Sequence, residues 1–126
     1  MANVTPENSA VWFEIPVSDM QRAKAFYNAV CMTELQEDNT GPNPMAIFPV
    51  SDMKTGTSGH LYPGKPASGG SGNTVHLAVP APLEDSLERL KKAGGKVLSD
   101  IVTIPPGRFA YCLDPDGNSI GLFVHN

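Results

Sequence analysis

The sequence has few cysteines, no excess of basic residues and no long apolar run. Cys31 and Cys112 are its only cysteines, and two cysteines cannot build a disulfide framework, so a reduced, cytoplasmic setting is expected. The 126 residues carry a formal net charge of −4, whereas nucleic acids and anionic membranes require a basic face. No run approaches the roughly 20 apolar residues of a membrane helix. We therefore expect neither a nucleic-acid partner nor a membrane partner.

The N-terminal residues also lack a targeting pattern. Residues 1–7 have no basic head followed by an apolar stretch, so no secretory signal is expected. What the chain does have is 40% hydrophobic and 17% charged residues, a balance typical of a globular protein. Its length suits one domain spanning residues 1–126, and its 12 glycines and 12 prolines indicate many turns between short strands.

The first half of the chain has the pattern of one strand, one helix and three further strands. Apolar residues alternate from residue 11 to residue 17, which predicts a strand. Ser18 or Asp19 can cap a helix, and Met20, Phe26 and Val30 follow at helical spacing. Short strands are then expected within residues 33–38, 45–48 and 58–62.

The second half repeats this order after a stretch rich in Gly, Pro and Ser at residues 63–72, which is typical of a flexible connector. A strand is predicted at residues 74–79. A helix marked by Leu83, Leu87 and Leu90 follows and ends at Gly94 and Gly95. A turn is expected at residues 104–107 and a tight turn at 114–117, with strands at 96–98, 108–113 and 120–124.

The two halves align at a nearly constant offset. Phe13 aligns with Val75 and Ile15 with Leu77 at 62 residues, and Met20 aligns with Leu83 at 63. Each match alone could be coincidence, but the same ordered series given twice favours a duplicated unit. The boundaries are module one at about residues 9–63, a linker at about 64–72 and module two at about 73–126.

Several segments resemble one protein family. Residues 17–27, Val-Ser-Asp-Met-Gln-Arg-Ala-Lys-Ala-Phe-Tyr, resemble the first strand–helix junction of the vicinal oxygen chelate (glyoxalase/bleomycin resistance protein/dioxygenase) superfamily. Residues 113–122, Leu-Asp-Pro-Asp-Gly-Asn-Ser-Ile-Gly-Leu, are similar to its closing hairpin. Residues 12–17 and 107–110 resemble a small glyoxalase-related branch, many of whose members lack an assigned reaction. The resemblance implies an α+β fold of two tandem βαβββ modules forming an open eight-stranded cup, often completed by a homodimer partner.

The resemblance also implies a divalent metal in the cup, which could be Fe, Mn, Ni, Zn or Mg. The family's ligands come from the first and last strands of each module. In this sequence those positions fall on Trp12, His60, Thr74 and Gly121, of which only His60 is an ordinary ligand. The usual site is therefore degenerate, and true glyoxalase I activity is not expected.

A shifted metal site is one alternative. Glu14 and His76 lie two residues beyond Trp12 and Thr74, and positions i and i+2 of a strand share a face. With His60 they make a two-His, one-carboxylate set, which suits a non-haem Fe(II) or similar metal. The simpler alternative is that Glu14 and His76 are hydrogen-bonded to each other or to water. In a third, Glu14 acts as a general base beside a histidine.

Other residues are candidates for contact with a ligand. Trp12 and Tyr62 share strand parity with Glu14 and His60, and an aromatic-lined pocket is a usual small-molecule site. Arg108 could bind a carboxylate through two hydrogen bonds, although a solvated arginine is the simpler interpretation. The full set of candidate ligand-contacting residues is Trp12, Tyr62, Thr74, Arg108, Phe109 and Tyr111.

Two functions follow from these patterns. The first is binding of a small oxygenated metabolite in the cup, with lyase or dioxygenase activity. The second is metal-free binding of a small molecule, as in the antibiotic-sequestering members of the family. The acidic balance and the missing metal ligands favour the second function slightly over a true glyoxalase, but fold alone does not determine function.

Overall fold

The computed structural model describes residues 5–126; residues 1–4, on which the expectation of no secretory signal partly rests, lie outside it. Within the described residues the chain forms two helices and nine strands. In chain order these are β1 (Trp12–Val17), α1 (Met20–Cys31), β2 (Gln36–Asp38), β3 (Met45–Ile47), β4 (Ser58–Pro63), β5 (Val75–Ala78), α2 (Leu83–Lys92), β6 (Lys96–Val97), β7 (Val102–Ile104), β8 (Gly107–Leu113) and β9 (Ser119–His125).

The first module is a four-stranded mixed sheet with strand order β1-β4-β3-β2. β1 runs parallel to β4, and the other pairs are antiparallel. Asp19 is the N-cap of α1, because its side chain accepts a hydrogen bond from the Arg22 backbone N–H at 3.1 Å. Met32 ends the helix in the left-handed conformation, with φ of 51°. The βαβββ order predicted for this half is confirmed.

The second module repeats the arrangement, with strand order β5-β9-β8-β6. Its additional short strand β7 pairs with the first half of β8, and β6 pairs with the second half. β6 and β7 together therefore occupy one strand position, and the α+β fold of two modules and an open cup is confirmed. The turn predicted at Ile104 begins later, because Ile104 is the last residue of β7 and pairs with Gly107.

Both helices pack on one side of the sheets, and the core joins the modules. On β1, Ile15 and Val17 are buried against the helices, whereas Trp12 and Glu14 lie on the opposite face and are exposed. We call this opposite face of both sheets the cup face. The largest fully buried side chains come from both modules: Tyr27, Phe26, Leu35, Leu61, Leu83, Leu90, Ile120, Leu122, Val17 and Val30.

A buried polar network also joins the modules. Asp114, 4% exposed, accepts hydrogen bonds from the Tyr27 hydroxyl at 2.7 Å, from Asn118 Nδ2 at 2.9 Å and from the backbone N–H groups of Asp116 and Asn118. Asn118 Nδ2 also donates to the Pro16 carbonyl at 2.8 Å. The turn between β8 and β9 is thus tied to the junction between β1 and α1. We call this network the Asp114 clasp.

The connector between the modules also contacts that turn. Residues Ser68–Gly70 form a short 3-10 turn, and the Gly70 N–H donates to the Gly117 carbonyl at 3.0 Å. The longest helix in residues 5–126 is α1, with 12 residues. None of the helices described is both long and apolar enough to cross a membrane.

Candidate functional site

Three of the predicted site residues meet on the cup face of the first module. Glu14 on β1 lies beside His60 on β4 in the strand register. The Trp12 Nε1–H donates a hydrogen bond to His60 Nδ1 at 2.9 Å, and His60 Nε2 lies 3.2 Å from Glu14 Oε1. The Tyr62 ring lies edge-on to His60 with 6.1 Å between ring centres. His60 is buried and Glu14 is exposed, so the carboxylate is the accessible end of the group.

The hydrogen bond from Trp12 determines which form of His60 this arrangement holds. An indole N–H can only donate, so His60 Nδ1 must supply a lone pair. The ring proton of neutral His60 is then on Nε2, the nitrogen that faces Glu14. Although His60 and Glu14 are within ion-pair distance, a charged imidazolium would carry a proton on Nδ1 and lose the Trp12 bond. We therefore interpret the contact as a neutral histidine facing a carboxylate.

His76 lies in the second module, inside a cluster of aromatic rings. Its ring lies edge-on to three others, with 5.0 Å between ring centres to Phe109, 5.7 Å to Tyr111 and 6.4 Å to Phe123. Partial burial lowers the pKa of His76 below its ordinary value of 6.5, so the neutral imidazole predominates at pH 7. His76 is thus a neutral polar group held among apolar rings.

Two strand glycines make room for rings on the neighbouring strands. Gly121 pairs with His76, and a Cβ atom at Gly121 would overlap the His76 ring. Gly59 pairs with Phe13, and a Cβ there would overlap the Phe13 ring in the same way. A glycine inside a strand often marks such a close approach. The rings of His76 and Phe13 therefore lie across the neighbouring strands.

The residues at the usual metal positions do not fit a metal. Trp12 offers an N–H donor and no lone pair, and its bond occupies His60 Nδ1. The Thr74 hydroxyl is hydrogen-bonded to that of Ser119 at 2.5 Å. Gly121 has no side chain, and the space beside it is filled by His76.

The shifted set of Glu14, His60 and His76 is divided between the two sheets. Glu14 and His60 lie together, whereas His76 contacts the rings of the second module. Across residues 5–126, no three side chains of His, Cys, Asp or Glu are grouped so that they could hold a metal ion.

Arg108 lies on the helix side of its sheet. Its guanidinium contacts both carboxylate oxygens of Glu84 on α2, at 2.6 and 3.5 Å, and the hydrogen bond from Arg108 lowers the pKa of Glu84 below its usual value. Phe109 and Tyr111 alternate with Arg108 along β8, and both contact His76. The structure therefore brings Phe109 and Tyr111, but not Arg108, to the aromatic cluster.

A cavity of about 590 Å³ lies between the two modules. Of the predicted site residues, all within residues 5–126, His76 alone lines it. The other wall residues were not predicted, because the cavity forms from non-local packing of the modules. Phe13 could have been found from Gly59, the strand glycine that pairs with it. The wall consists of Phe13, Cys31, Met32, Thr33, Phe48, Pro49, Val50, Thr57, Ser58, His76, Leu77, Ala78, Phe123 and His125.

Known proteins resemble this chain in sequence and in fold. Residues 9–122 match the model of the Glyoxalase/Bleomycin resistance protein/Dioxygenase superfamily. A glyoxylase-like domain-containing protein from Didymella fabae is 30% identical over 117 residues, covering 84% of this chain and 85% of that protein. The crystal structure of a glyoxalase/bleomycin resistance protein from a Streptomyces species is 31% identical, with a TM-score of 0.64, and the match covers 91% and 99% of the two chains. A hypothetical protein from S. aureus shares the fold at 18% identity, with a TM-score of 0.70 over 94% and 95%.

Proposed function

Because the chain belongs to the glyoxalase/bleomycin resistance protein/dioxygenase superfamily, we propose that it binds a small oxygenated organic molecule in the cavity between its modules. The observation that carries the proposal is the cavity itself, whose volume of about 590 Å³ lies within the roughly 300–1,000 Å³ of ligand pockets. Its wall is mostly apolar, with a few polar groups that can orient a ligand.

The wall offers two kinds of contact. The rings of Phe13, Phe48 and Phe123 provide apolar surface, and Phe13 and Phe48 already pack together with 5.2 Å between ring centres. Neutral His76 has one nitrogen that donates and one that accepts, so it can bond to either a hydroxyl or a carbonyl oxygen of the ligand. Binding in this form requires no metal at the usual positions.

A cavity-filling variant tests the proposal. The wild-type protein is screened against small oxygenated metabolites, with and without divalent metals, by thermal shift and by NMR chemical-shift mapping. We expect a ligand that perturbs signals of Phe13, His76 and Phe123 without added metal. Ala78→Phe puts a ring into the cavity and should abolish that binding.

The matched control is Ala29→Phe, which adds the same ring on the exposed face of α1. It should leave the affinity unchanged. Ligand binding that survives Ala78→Phe at wild-type affinity, or stabilisation by metals alone, would contradict the proposal.

The series of polar contacts from Trp12 through His60 to Glu14 favours a second candidate function. In it the protein is an enzyme, and Glu14 accepts a proton from a bound molecule. His60 Nε2 supports one carboxylate oxygen, and the exposed carboxylate remains accessible from the cup. For a ligand from the screen that also perturbs the signals of His60, beside Glu14, product formation would be followed by mass spectrometry. Glu14→Gln should abolish turnover and keep binding; unchanged turnover would exclude this role.

We also propose that the protein is a cytoplasmic homodimer. Both cysteines are free thiols, which suits a reducing compartment. Trp12, Leu98 and Tyr111 are large apolar side chains that remain 40%, 52% and 41% exposed in the single chain, and a second copy could cover them. Light scattering during size-exclusion chromatography should give twice the mass of the chain; one chain's mass at all concentrations would contradict it.

A further inference from the structure

We propose that the cavity selects an uncharged ligand, namely a largely apolar molecule that carries a hydroxyl or carbonyl oxygen and neither a carboxylate, a phosphate nor an ammonium group. This inference rests on the proposed function and names its ligand class. It starts from the wall, because the described residues that line the cavity include no Asp, Glu, Lys or Arg. Nothing there can form an ion pair with a ligand through a permanently charged side chain.

The polar groups of the wall are themselves neutral or already bonded. Burial raises the pKa of the Cys31 thiol to about 11, so it is protonated at pH 7. His76 is neutral for the reason given above. The Ser58 hydroxyl donates its proton to the Phe48 carbonyl, so it can only accept from a ligand. These groups can satisfy one or two ligand oxygens and cannot neutralise a charge.

His125 is the remaining ionisable residue of the wall, and it lies at the rim. It is exposed, and its ring packs against Phe123 with 4.8 Å between ring centres. A charge on an exposed histidine is largely screened by water and salt. His125 therefore gives little compensation to an anion that is buried deeper, beside Phe13 and Phe48.

The physical basis of the selection is desolvation. A charged group that leaves water for an apolar wall loses its hydration and needs a partner charge or several hydrogen bonds in return. Arg89 acts on one wall residue, since its charge lowers the pKa of Cys31, but it does not line the cavity. Its guanidinium donates hydrogen bonds to the Ser86 hydroxyl and to the Val30 carbonyl. A neutral ester or alcohol with the same carbon skeleton loses much less hydration. The two members of such a pair should therefore bind with different affinities.

Matched pairs of neutral and charged probes test this inference. The probes are aromatic methyl esters, the corresponding carboxylates and the corresponding primary amines, such as the naphthalene series, titrated into the wild-type protein and followed by NMR and calorimetry. We expect the ester to bind at least tenfold more tightly than the carboxylate or the ammonium form. Shifts should map to Phe13, His76 and Phe123.

Two variants at one position sharpen the result. Ala78→Lys brings an ammonium group to the wall and should improve carboxylate binding relative to the ester at least fivefold. Ala78→Gln has a similar length without the charge, and it should leave the preference for the ester unchanged. Equal effects of the two substitutions would show that size and not charge controls the preference, which would overturn the inference.

The remaining outcomes separate this inference from the proposed function. A carboxylate or amine that binds the wild-type cavity as tightly as its ester overturns the selection of uncharged ligands but leaves cavity binding intact. If His125→Gln then abolishes that carboxylate binding, the rim histidine is the anion site. No binding by any ester of the panel also overturns the inference. If the metabolite screen is blank as well, the proposed function fails with it.

Discussion

At the scale of single residues, Trp12 determines the protonation pattern of His60. Its indole N–H donates to His60 Nδ1, which leaves the proton on Nε2 facing Glu14. We predict that nitrogen-15 NMR of the wild-type protein at neutral pH shows an unprotonated Nδ1 and a protonated Nε2 for His60. Trp12→Phe keeps an aromatic ring and removes the donor, so a mixture of tautomers should appear. Tyr62→Phe is the control, because Tyr62 contacts the same imidazole only through its ring. The interpretation fails if Trp12→Phe leaves the tautomer unchanged.

Gly121 is the second residue with a local role that can be measured. An alanine Cβ at this position would overlap the His76 ring and push it out of its contact with Phe109. Because an aromatic contact of this kind contributes about 0.5–1.5 kcal/mol, we predict that Gly121→Ala lowers the free energy of unfolding by roughly 1 kcal/mol. Urea denaturation gives this value.

The same substitution in a His76→Ala background separates the ring from other effects. Without the ring, the added methyl group has space, and the cost of Gly121→Ala should fall to near zero. The two changes therefore show a coupling energy of about 1 kcal/mol in a double-mutant cycle. Additive effects would mean that Gly121 is required for its backbone and not for His76.

At the scale of elements, the Asp114 clasp holds the turn between β8 and β9 against the junction of β1 and α1. The Asp114 carboxylate accepts four hydrogen bonds, two of them from backbone N–H groups. Asp114→Asn replaces one acceptor oxygen by a donor that faces other donors. We predict a loss of roughly 2–3 kcal/mol in the free energy of unfolding, the cost of leaving buried polar groups unpaired. Asp100→Asn, on an exposed residue, should change it little. A loss below about 0.5 kcal/mol for Asp114→Asn would contradict this account of the clasp.

The elements themselves could be largely predicted, because each is a local pattern. Strand alternation around Glu14 and the helical spacing from Met20 are visible in a few consecutive residues. β7 was missed since its three residues precede two prolines and are too short to show a period. The partner of Arg108 was not predictable either, because it depends on how α2 lies across β8.

The cavity could not be predicted either, because it too depends on contacts between residues that are distant in the sequence. It forms where the first module meets the second, so Phe13 and His125 line one space although they are far apart in sequence. The aligned repeat predicts two similar modules and contains no information on the shape of the gap between them. The signal that the sequence does contain is a pair of strand glycines, Gly59 and Gly121, because a glycine inside a strand often marks a close approach.

At the scale of the whole molecule, the shared core and the clasp join the two modules. Unfolding at alkaline pH tests whether the modules unfold together. Burial raises the pKa of Tyr27 well above its ordinary value of 10.0, and the nearby Asp114 charge raises it further. Burial also raises the pKa of Cys31 and of Cys112 from 9.0 to about 11. The unfolded chain therefore loses these protons at a lower pH than the folded one. The stability that such groups contribute is complete below their pKa in the unfolded chain. It is lost as the pH rises from there through their pKa in the folded chain.

We predict that the contribution of these groups to the free energy of unfolding is nearly constant from pH 7 to about pH 8.5 and falls from about pH 9 upward. At each pH, urea should unfold the protein in a single cooperative transition. Urea denaturation at several pH values, followed by both Trp12 fluorescence and far-ultraviolet circular dichroism, measures this. Tyr27→Phe removes the ionisable hydroxyl, so it should lower stability at pH 7 and flatten the decline above pH 10. Tyr111→Phe, at an exposed ring, should keep the wild-type slope. Because Tyr27 lies in the first module and its acceptor Asp114 in the second, separate transitions by the two probes would show that the modules unfold independently and that the clasp does not couple them.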